Sequence, residues 1–160
     1  MRKSRGVAGQ SLSVALFGQP QIREGPAMYS VMLVDDQEGM LIELRAIVEA
    51  TGLARVVAAE TNGSAALESI AIHKPDLVLL DVSLGEESGV DVAAKLLGEF
   101  PQTRILALSA HANPIYVRGM LKAGACGYLL KDNVHGEIAE AIAAVMSSSP
   151  WMWVGDGLDQ

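Results

Sequence analysis

The sequence predicts an α/β domain with a doubly wound, five-stranded parallel sheet, and three observations lead to this prediction. Short apolar runs without polar alternation recur along the chain, as expected for strands that are covered on both faces. Segments with apolar residues at helical spacing separate these runs. The regular succession of strand and helix from Tyr29 onward specifies βα units that share one parallel sheet.

The first two strand–helix units occupy the first part of this domain. The run 31–34 predicts a buried strand, and residues 37–50 predict a helix because their apolar positions recur at helical spacing. Residues 54–59 are strand-like, and Asn62 is placed to cap a helix over 63–71.

Three further units complete the predicted sheet. Strands are predicted for three uninterrupted apolar runs, 77–80, 104–108 and 128–130. Helices are predicted over 88–98 and 114–121, the second with Pro114 in its first turn. Asn133 is placed to cap the last helix, which we expect to continue through Met146.

The composition excludes several classes of protein. Half of the 160 residues are apolar and 19% are charged, which is typical of a globular chain. No apolar stretch reaches the roughly 18 residues of a membrane span, and a single cysteine cannot form an internal disulfide. The formal charge of −7 disfavours binding to a phosphate backbone. We therefore expect a cytoplasmic domain without direct contact to nucleic acid or membrane.

Residues 1–27 differ in pattern from the rest of the chain. Basic residues open this segment, and glycines and prolines punctuate it. A secretory signal would need an uninterrupted apolar region, but Gln10, Ser11 and Ser13 break the apolar part. We expect residues 1–27 to form a flexible N-terminal extension.

Polar residues stand at the carboxyl ends of four predicted strands, and they are Asp35, Asp36, Asp81, Ser109 and Lys131. In a doubly wound sheet such residues meet in a crevice outside the carboxyl ends of the strands. Three carboxylates in one crevice repel each other unless a cation is bound, and a small site with few oxygens suits Mg²⁺. A carboxylate beside a cation and a lysine is placed to receive a phosphoryl group.

Taken together, these elements resemble the receiver domain of two-component response regulators over residues 28–147. The matching positions are the pair Asp35-Asp36, the strand 76–81 that ends in Asp81, Gly89, Ser109-Ala110 and Lys131. The stretch AGACGYLLKD at 123–132 is most similar to receivers attached to LuxR/NarL-type DNA-binding domains. The resemblance implies a flavodoxin-like (βα)5 fold with strand order 2-1-3-4-5.

The resemblance also implies a role for each residue of the crevice. Asp81 corresponds to the phosphoacceptor, and Lys131 corresponds to the lysine that contacts the phosphoryl group. Asp35, Asp36 and Asp81 would hold Mg²⁺ together with the backbone carbonyl of Ser83. The phosphoryl group would come from a sensor histidine kinase or a phosphotransfer protein.

A hydroxyl and an aromatic residue would form the conformational switch. Ser109 corresponds to the residue that moves toward the phosphoryl group, and Tyr128 corresponds to the aromatic residue that changes rotamer with it. The surface of the fourth helix, fifth strand and fifth helix would then change, and a homodimer is one form in which that change could be read. Such a domain assists its own phosphorylation and dephosphorylation without being a metabolic enzyme.

One position departs from the receiver pattern. Receivers usually carry proline four positions after the phosphoacceptor, where this chain has Gly85. Because glycine frees the backbone that proline would fix, we expect a more mobile loop. Glu86 and Glu87 would add negative charge near an incoming phosphate, which we expect to change the rate of phosphorylation and not its chemistry.

Three alternatives remain open. Residues 148–160 are too few for a helix-turn-helix module, so we expect a C-terminal tail, on either a stand-alone receiver or a truncated LuxR-type transcriptional regulator. A haloacid-dehalogenase-type phosphatase also uses Asp and Mg²⁺, but that family expects a second Asp where this chain has Ser83. A silent receiver would serve only as a docking module. Trp151 and Trp153 would cover either a groove of the domain or a partner surface.

Overall fold

The computed structural model describes residues 28–147 and 153–158. Its helices are α1 (Glu38–Ala50), α2 (Gly63–His73), α3 (Gly89–Glu99), α4 (Pro114–Ala123) and α5 (Val134–Val145). Its strands are β1 (Tyr29–Val34), β2 (Ala54–Glu60), β3 (Leu77–Asp81), β4 (Ser83–Leu84), β5 (Glu87–Ser88), β6 (Arg104–Ser109), β7 (Gly127–Leu130) and β8 (Trp153–Val154). The predicted flexible extension over 1–27 lies outside the described residues, as does Trp151.

The main sheet is parallel, with the strand order β2-β1-β3-β6-β7-β8. Its first five strands are the five predicted ones, so the predicted order is confirmed. The predicted number of strands is wrong by one, because Trp153–Val154 pairs in parallel with β7. This pairing covers backbone groups that an edge strand would expose, and a two-residue strand is too short to carry a periodic signal.

The helices cover both faces of the sheet, as the doubly wound prediction requires. α1 and α5 pack on one face, and α2, α3 and α4 pack on the other. Along β1 the side chains alternate, with Met32 and Val34 on the second face and Val31 and Leu33 on the first. Among the helices of the described residues, none combines the length and the apolar character needed to cross a membrane.

Local capping explains where two helices begin. The Asn62 side chain accepts a hydrogen bond from the Ala65 N–H at 2.8 Å, so the predicted cap of α2 is confirmed. The Asn113 side chain caps α4 in the same way, directly before Pro114 in the first turn. The cap predicted for α5 is wrong, because Asn133 ends a 3₁₀ turn and makes no capping hydrogen bond.

Residues 153–158, the docked tail, lie along the free side of β7. The Trp153 N–H donates to the Cys126 carbonyl at 2.9 Å, and the Gly155 N–H donates to the Tyr128 carbonyl at 3.0 Å. These hydrogen bonds extend the parallel ladder by one short strand. The described part of the predicted C-terminal tail is therefore packed against the domain.

Side chains fix the docked tail from both faces of the sheet. The Trp153 indole Nε1 donates to Glu140 Oε2 of α5 at 3.3 Å, and Leu158 is buried in the core cluster of the opposite face. Asn133 uses its side-chain Nδ2 to donate to the Asp156 carbonyl at 3.2 Å. Trp153 thus packs on the domain itself, as the first of the two alternatives for this residue expects, and a role in a partner surface stays a prediction.

We predict that Gly155→Val displaces the docked tail. A Cβ atom added at Gly155 would lie 2.6 Å from Glu137 Oε1 and 3.3 Å from Leu129 Cδ1, so the Glu137 carboxylate must move and the tail loses the hydrogen bond from the Asp156 N–H to Glu137. We expect a red shift of Trp153 fluorescence, measured in a Trp151→Phe background. The free energy of unfolding should fall by about 1–2 kcal/mol because contacts of the tail are lost.

Gly136→Val provides the matched control for this prediction. A Cβ atom added at Gly136, on α5, meets nothing within 4 Å, so the fluorescence should stay as in the parent protein. Identical spectra for the Gly155 and Gly136 variants would contradict the docking of the tail on β7.

Candidate functional site

The carboxyl ends of four parallel strands bring the predicted site residues together. Asp35 and Asp36 follow β1, Asp81 ends β3, Ser109 ends β6 and Lys131 follows β7. Asp36, Asp81 and Lys131 line a crevice of about 360 Å³, together with Ser83, Gly85 and His111. Larger crevices near the amino ends of the strands do not contain these residues.

Lys131 connects the two buried carboxylates of the crevice. Its Nζ donates to Asp35 Oδ2 at 2.7 Å and to Asp81 Oδ2 at 3.0 Å. The other oxygen of each carboxylate accepts a backbone N–H, from Gln37 at 2.9 Å and from Ser83 at 3.0 Å. Because Asp35 and Asp81 are at most 5% exposed, this pairing is what makes their charges tolerable.

Burial and neighbouring charges shift the pKa values of Asp81 and Lys131. Burial raises the pKa of Asp81 above its ordinary value of 3.8, and the charge of Asp35 adds to the rise, although the Ser83 N–H and Lys131 oppose it. Burial alone would lower the pKa of Lys131, but hydrogen bonds to Asp35 and Asp81 outweigh that effect and raise it above 10.5. Lys131 is therefore charged at neutral pH. Asp81 ionises less readily in the folded protein than an aspartate carboxyl group does in water.

Three carboxylates and one ammonium group leave the crevice with an excess of negative charge. One oxygen each from Asp35, Asp36 and Asp81 lies within 4.8 Å of the other two. Asp36 is exposed and has no ion-pair or hydrogen-bond partner for its carboxylate among the described residues. Hard divalent cations take clustered carboxylate oxygens of this kind, so the set of donors fits Mg²⁺.

The loop after Asp81 forms a hairpin. β4 and β5 pair in antiparallel fashion, with Ser83 opposite Ser88. Gly85 stands first in the two-residue turn with φ of 66°, a conformation typical of glycine at this position. Proline, whose φ is held near about −65°, could not replace it. The greater mobility expected from the sequence for this loop stays a prediction.

The predicted switch residues are neighbours behind the crevice. Ser109 Oγ donates to the His111 carbonyl at 2.8 Å and accepts from the His111 N–H at 3.0 Å. Tyr128 is wholly buried, and its hydroxyl has no hydrogen-bond partner among the described residues. Burial raises the pKa of Tyr128 above 10.0, and the nearby Ser109 hydroxyl offsets part of this rise.

Comparison with known proteins identifies the family. The family model of the response regulator receiver domain matches residues 31–143. The NarL transcriptional regulatory protein of Mycobacterium tuberculosis is 41% identical over 92 residues, which cover 58% of this chain and 43% of that protein. The chain spans about half the length of the curated relatives it matches.

Solved structures agree with this result. The signal receiver domain of NarL from Mycobacterium tuberculosis superposes with a TM-score of 0.70 at 34% identity, covering 78% of this chain and all of that one. A response regulator from Burkholderia pseudomallei, solved with a phosphorylated aspartic acid and a calcium ion, gives a TM-score of 0.63 at 28% identity. This match covers 75% of the present chain and 67% of that protein.

The chain therefore belongs to the response regulator receiver domain family. It is a receiver domain of a two-component response regulator of the NarL/LuxR type. The haloacid-dehalogenase-type phosphatase alternative is set aside, because the chain matches the receiver domain family instead. In addition, Ser83 stands where such a phosphatase would need its second Asp.

Two contacts of the site were not predicted from the sequence. Gln37 supplies a backbone N–H to Asp35, and a backbone donor carries no residue-specific signal. Glu87 turns away from the crevice and accepts a hydrogen bond from the Gly63 N–H at 2.8 Å. The Gly85-Glu86 turn could have indicated the hairpin, since glycine in the first position of a two-residue turn is a hairpin signal.

We predict that Asp81→Asn stabilises the metal-free domain. Asparagine has the shape of aspartate without the buried charge. Because the pKa of Asp81 is higher in the folded than in the unfolded chain, ionisation of this carboxyl favours unfolding. We expect a gain of about 1 kcal/mol at neutral pH, or roughly 2–4 °C in Tm, by calorimetry with a chelator present.

The pH dependence of this gain has a defined sign. The penalty is fully present above the folded-state pKa and disappears as the pH falls below the unfolded value of 3.8, because Asp81 is then protonated in both states. The stability difference should therefore shrink as the pH is lowered from 7 toward 4. A variant that is less stable than wild type at pH 7 would contradict the prediction.

Proposed function

We propose that this receiver domain accepts a phosphoryl group on Asp81 in a Mg²⁺-dependent reaction and changes its surface in response. The observation that carries this proposal is the Lys131 ammonium group, which lies 3.0 Å from Asp81 and 2.7 Å from Asp35 beside the free carboxylate of Asp36. A nucleophile, a cationic partner and oxygen ligands for a metal thus share one crevice.

The transfer is an in-line displacement at phosphorus. A carboxylate oxygen of Asp81 forms the new P–O bond, the P–N bond of a phosphohistidine breaks, and the leaving imidazole takes up a proton. Lys131 pairs with a phosphoryl oxygen as a flexible point charge. Water later hydrolyses the P–O bond of the acyl phosphate, which releases inorganic phosphate and regenerates the carboxylate of Asp81.

Four groups would hold the metal: the carboxylates of Asp35, Asp36 and Asp81 and the backbone carbonyl of Ser83. When bound, Mg²⁺ neutralises charge on the transferring phosphoryl oxygens. Asp36 offers a carboxylate without another partner, whereas Asp35 also orients Lys131 through their 2.7 Å contact. We expect Asp36→Ala to weaken Mg²⁺ binding most directly.

Ser109 and Tyr128 would couple the crevice to the surface. A phosphoryl group adds about 1.5–2 negative charges and new acceptor oxygens. Ser109 can donate to one of them only by giving up its hydrogen bond to the His111 carbonyl. Its movement leaves space beside β6 that the neighbouring Tyr128 side chain adjusts to fill, which changes the packing of α4, β7 and α5.

The donor would be a sensor histidine kinase or a phosphotransfer protein, acting on this domain in the cytoplasm. The formal charge of −7 supports the absence of direct contact between this chain and nucleic acid. Transcriptional regulation is the output that its NarL-type relatives suggest. A stand-alone receiver and part of a longer regulator are both compatible with this function.

We predict that the wild-type chain gains one phosphoryl group when incubated with Mg²⁺ and a small phosphodonor, and that Asp81→Asn does not. The amide lacks the nucleophilic charge of the carboxylate. Intact-protein mass spectrometry measures the addition directly. Equal labelling of both forms would remove Asp81 from its role, and no labelling of either form would favour a silent docking module.

We predict that Ser109→Ala still accepts the phosphoryl group but transmits less of the change. The variant lacks one charge-assisted hydrogen bond, which is worth roughly 1.5–3 kcal/mol. Moving a two-state equilibrium from 1:99 to 99:1 takes about 5.5 kcal/mol, so this loss removes a large part of the driving force. NMR shifts around Tyr128 with and without beryllofluoride should change less than in wild type, and self-association should be weaker. A full response of the variant would exclude Ser109 as the coupling residue.

A further inference from the structure

The β4–β5 hairpin is tied to a helix that takes no other part in the crevice. Glu87 Oε1 accepts a hydrogen bond from the Gly63 N–H at 2.8 Å. Gly63 is the first residue of α2, where backbone N–H groups have no partner inside the helix. A carboxylate at this position is also favoured by the helix dipole.

Local packing leaves room for this contact only because residue 63 is glycine. A Cβ atom added at Gly63 would lie 2.9 Å from Glu87 Oε2 and 2.7 Å from Val92 Cγ2 of α3. The Glu87 carboxylate therefore packs directly against the Gly63 backbone, at the start of α2 and beside Val92 of α3. Asn62, the neighbouring cap, serves a different N–H, that of Ala65.

At its other end the hairpin contacts the carboxylates of the crevice. The Ser83 N–H donates to Asp81 Oδ1 at 3.0 Å. The turn passes close to the metal ligands, since a Cβ atom added at Gly85 would lie 3.5 Å from Asp36 Oδ2. The backbone of the hairpin thus lies between Glu87 and the oxygens proposed to bind the cation.

We propose that Glu87 is a positioning residue for the cation and phosphoryl site, acting by holding the hairpin that presents Ser83. This inference rests on the function proposed above. Two paired positions on each strand are too few for a hairpin to be stable alone. The hydrogen bond between Glu87 and Gly63, which are 24 positions apart in sequence, anchors the hairpin to α2. Glu87 lies on β5, which pairs with the strand that carries Ser83.

Substitutions that change either the length or the charge of the Glu87 side chain can distinguish a positioning role from a simple electrostatic effect. Glu87→Gln removes the charge but keeps an oxygen that can accept the Gly63 N–H. Glu87→Asp keeps the charge but is shorter by one methylene group and cannot span the same distance. Glu86→Ala removes an exposed carboxylate from the adjacent turn position, which does not line the crevice, and is the matched control.

The experiment measures binding of MgCl₂ by calorimetry and labelling by a small phosphodonor, in wild type and the four variants Glu87→Ala, Glu87→Asp, Glu87→Gln and Glu86→Ala. We expect Mg²⁺ affinity to fall about fivefold in Glu87→Ala and Glu87→Asp, as for loss of one partly exposed hydrogen bond to a charged group. Glu87→Gln and Glu86→Ala should stay within about twofold of wild type. Amide exchange over residues 83–88 should rise in the two weakened variants only.

The outcomes distinguish this inference from the function on which it rests. If wild type binds no Mg²⁺ and takes no phosphoryl group, the proposed function fails. If wild type does both and Glu87→Ala matches it, the positioning role is overturned while the function stands. If Glu87→Gln loses as much affinity as Glu87→Ala while Glu87→Asp keeps it, the effect is one of charge, and positioning is again overturned.

Discussion

The whole crevice depends on the ion pairs that the Lys131 ammonium group forms with two buried carboxylates. This group joins the carboxylates of Asp35 and Asp81 at the ends of two adjacent strands, although Lys131 itself follows a strand on the far side of β6. Without Lys131, both buried carboxylates would lose their cationic partner, and leaving a buried charge unpaired in this way costs about 3–5 kcal/mol. The strands must therefore end in register at this edge of the sheet, and the pairing of Val34 with Leu80 meets that requirement.

Under the proposed function, the arrangement of Asp81 would trade stability for chemistry. Asp81 is held in a buried position that raises its pKa, so the free domain carries a charge that the fold disfavours. The surrounding strand is able to bear this cost because every residue of β3 is buried and its apolar side chains pack alternately on the two faces of the sheet. If Asp81 has its proposed role, it is a functional carboxylate kept at the expense of stability, which is a common feature of active proteins.

Most of the fold and the centre of the site follow from two rules of physical chemistry. Apolar periodicity identifies strands and helices, and the geometry of parallel sheets brings the residues at their carboxyl ends together. The remaining features depend on contacts between distant positions. Asn133 precedes α5 as a cap would, yet its side chain binds the Asp156 carbonyl. The hydrogen bond from the Gly63 N–H to Glu87, which lies next to the Gly85-Glu86 turn, joins positions 24 residues apart and has no local signal in the sequence.

Tyr128 links the crevice to the docked tail. Its hydroxyl is buried near Ser109, and its backbone carbonyl accepts the Gly155 N–H of the tail. Because β7 is hydrogen-bonded to β6 on one side and to β8 on the other, a displacement of the Tyr128 backbone would alter the hydrogen bonds of both neighbouring strands. Coupling between two sites is reciprocal. If the tail contact responds to the state of Asp81, it must also act on the crevice, and we therefore propose that the sixth strand contributes to the energetics of the proposed switch.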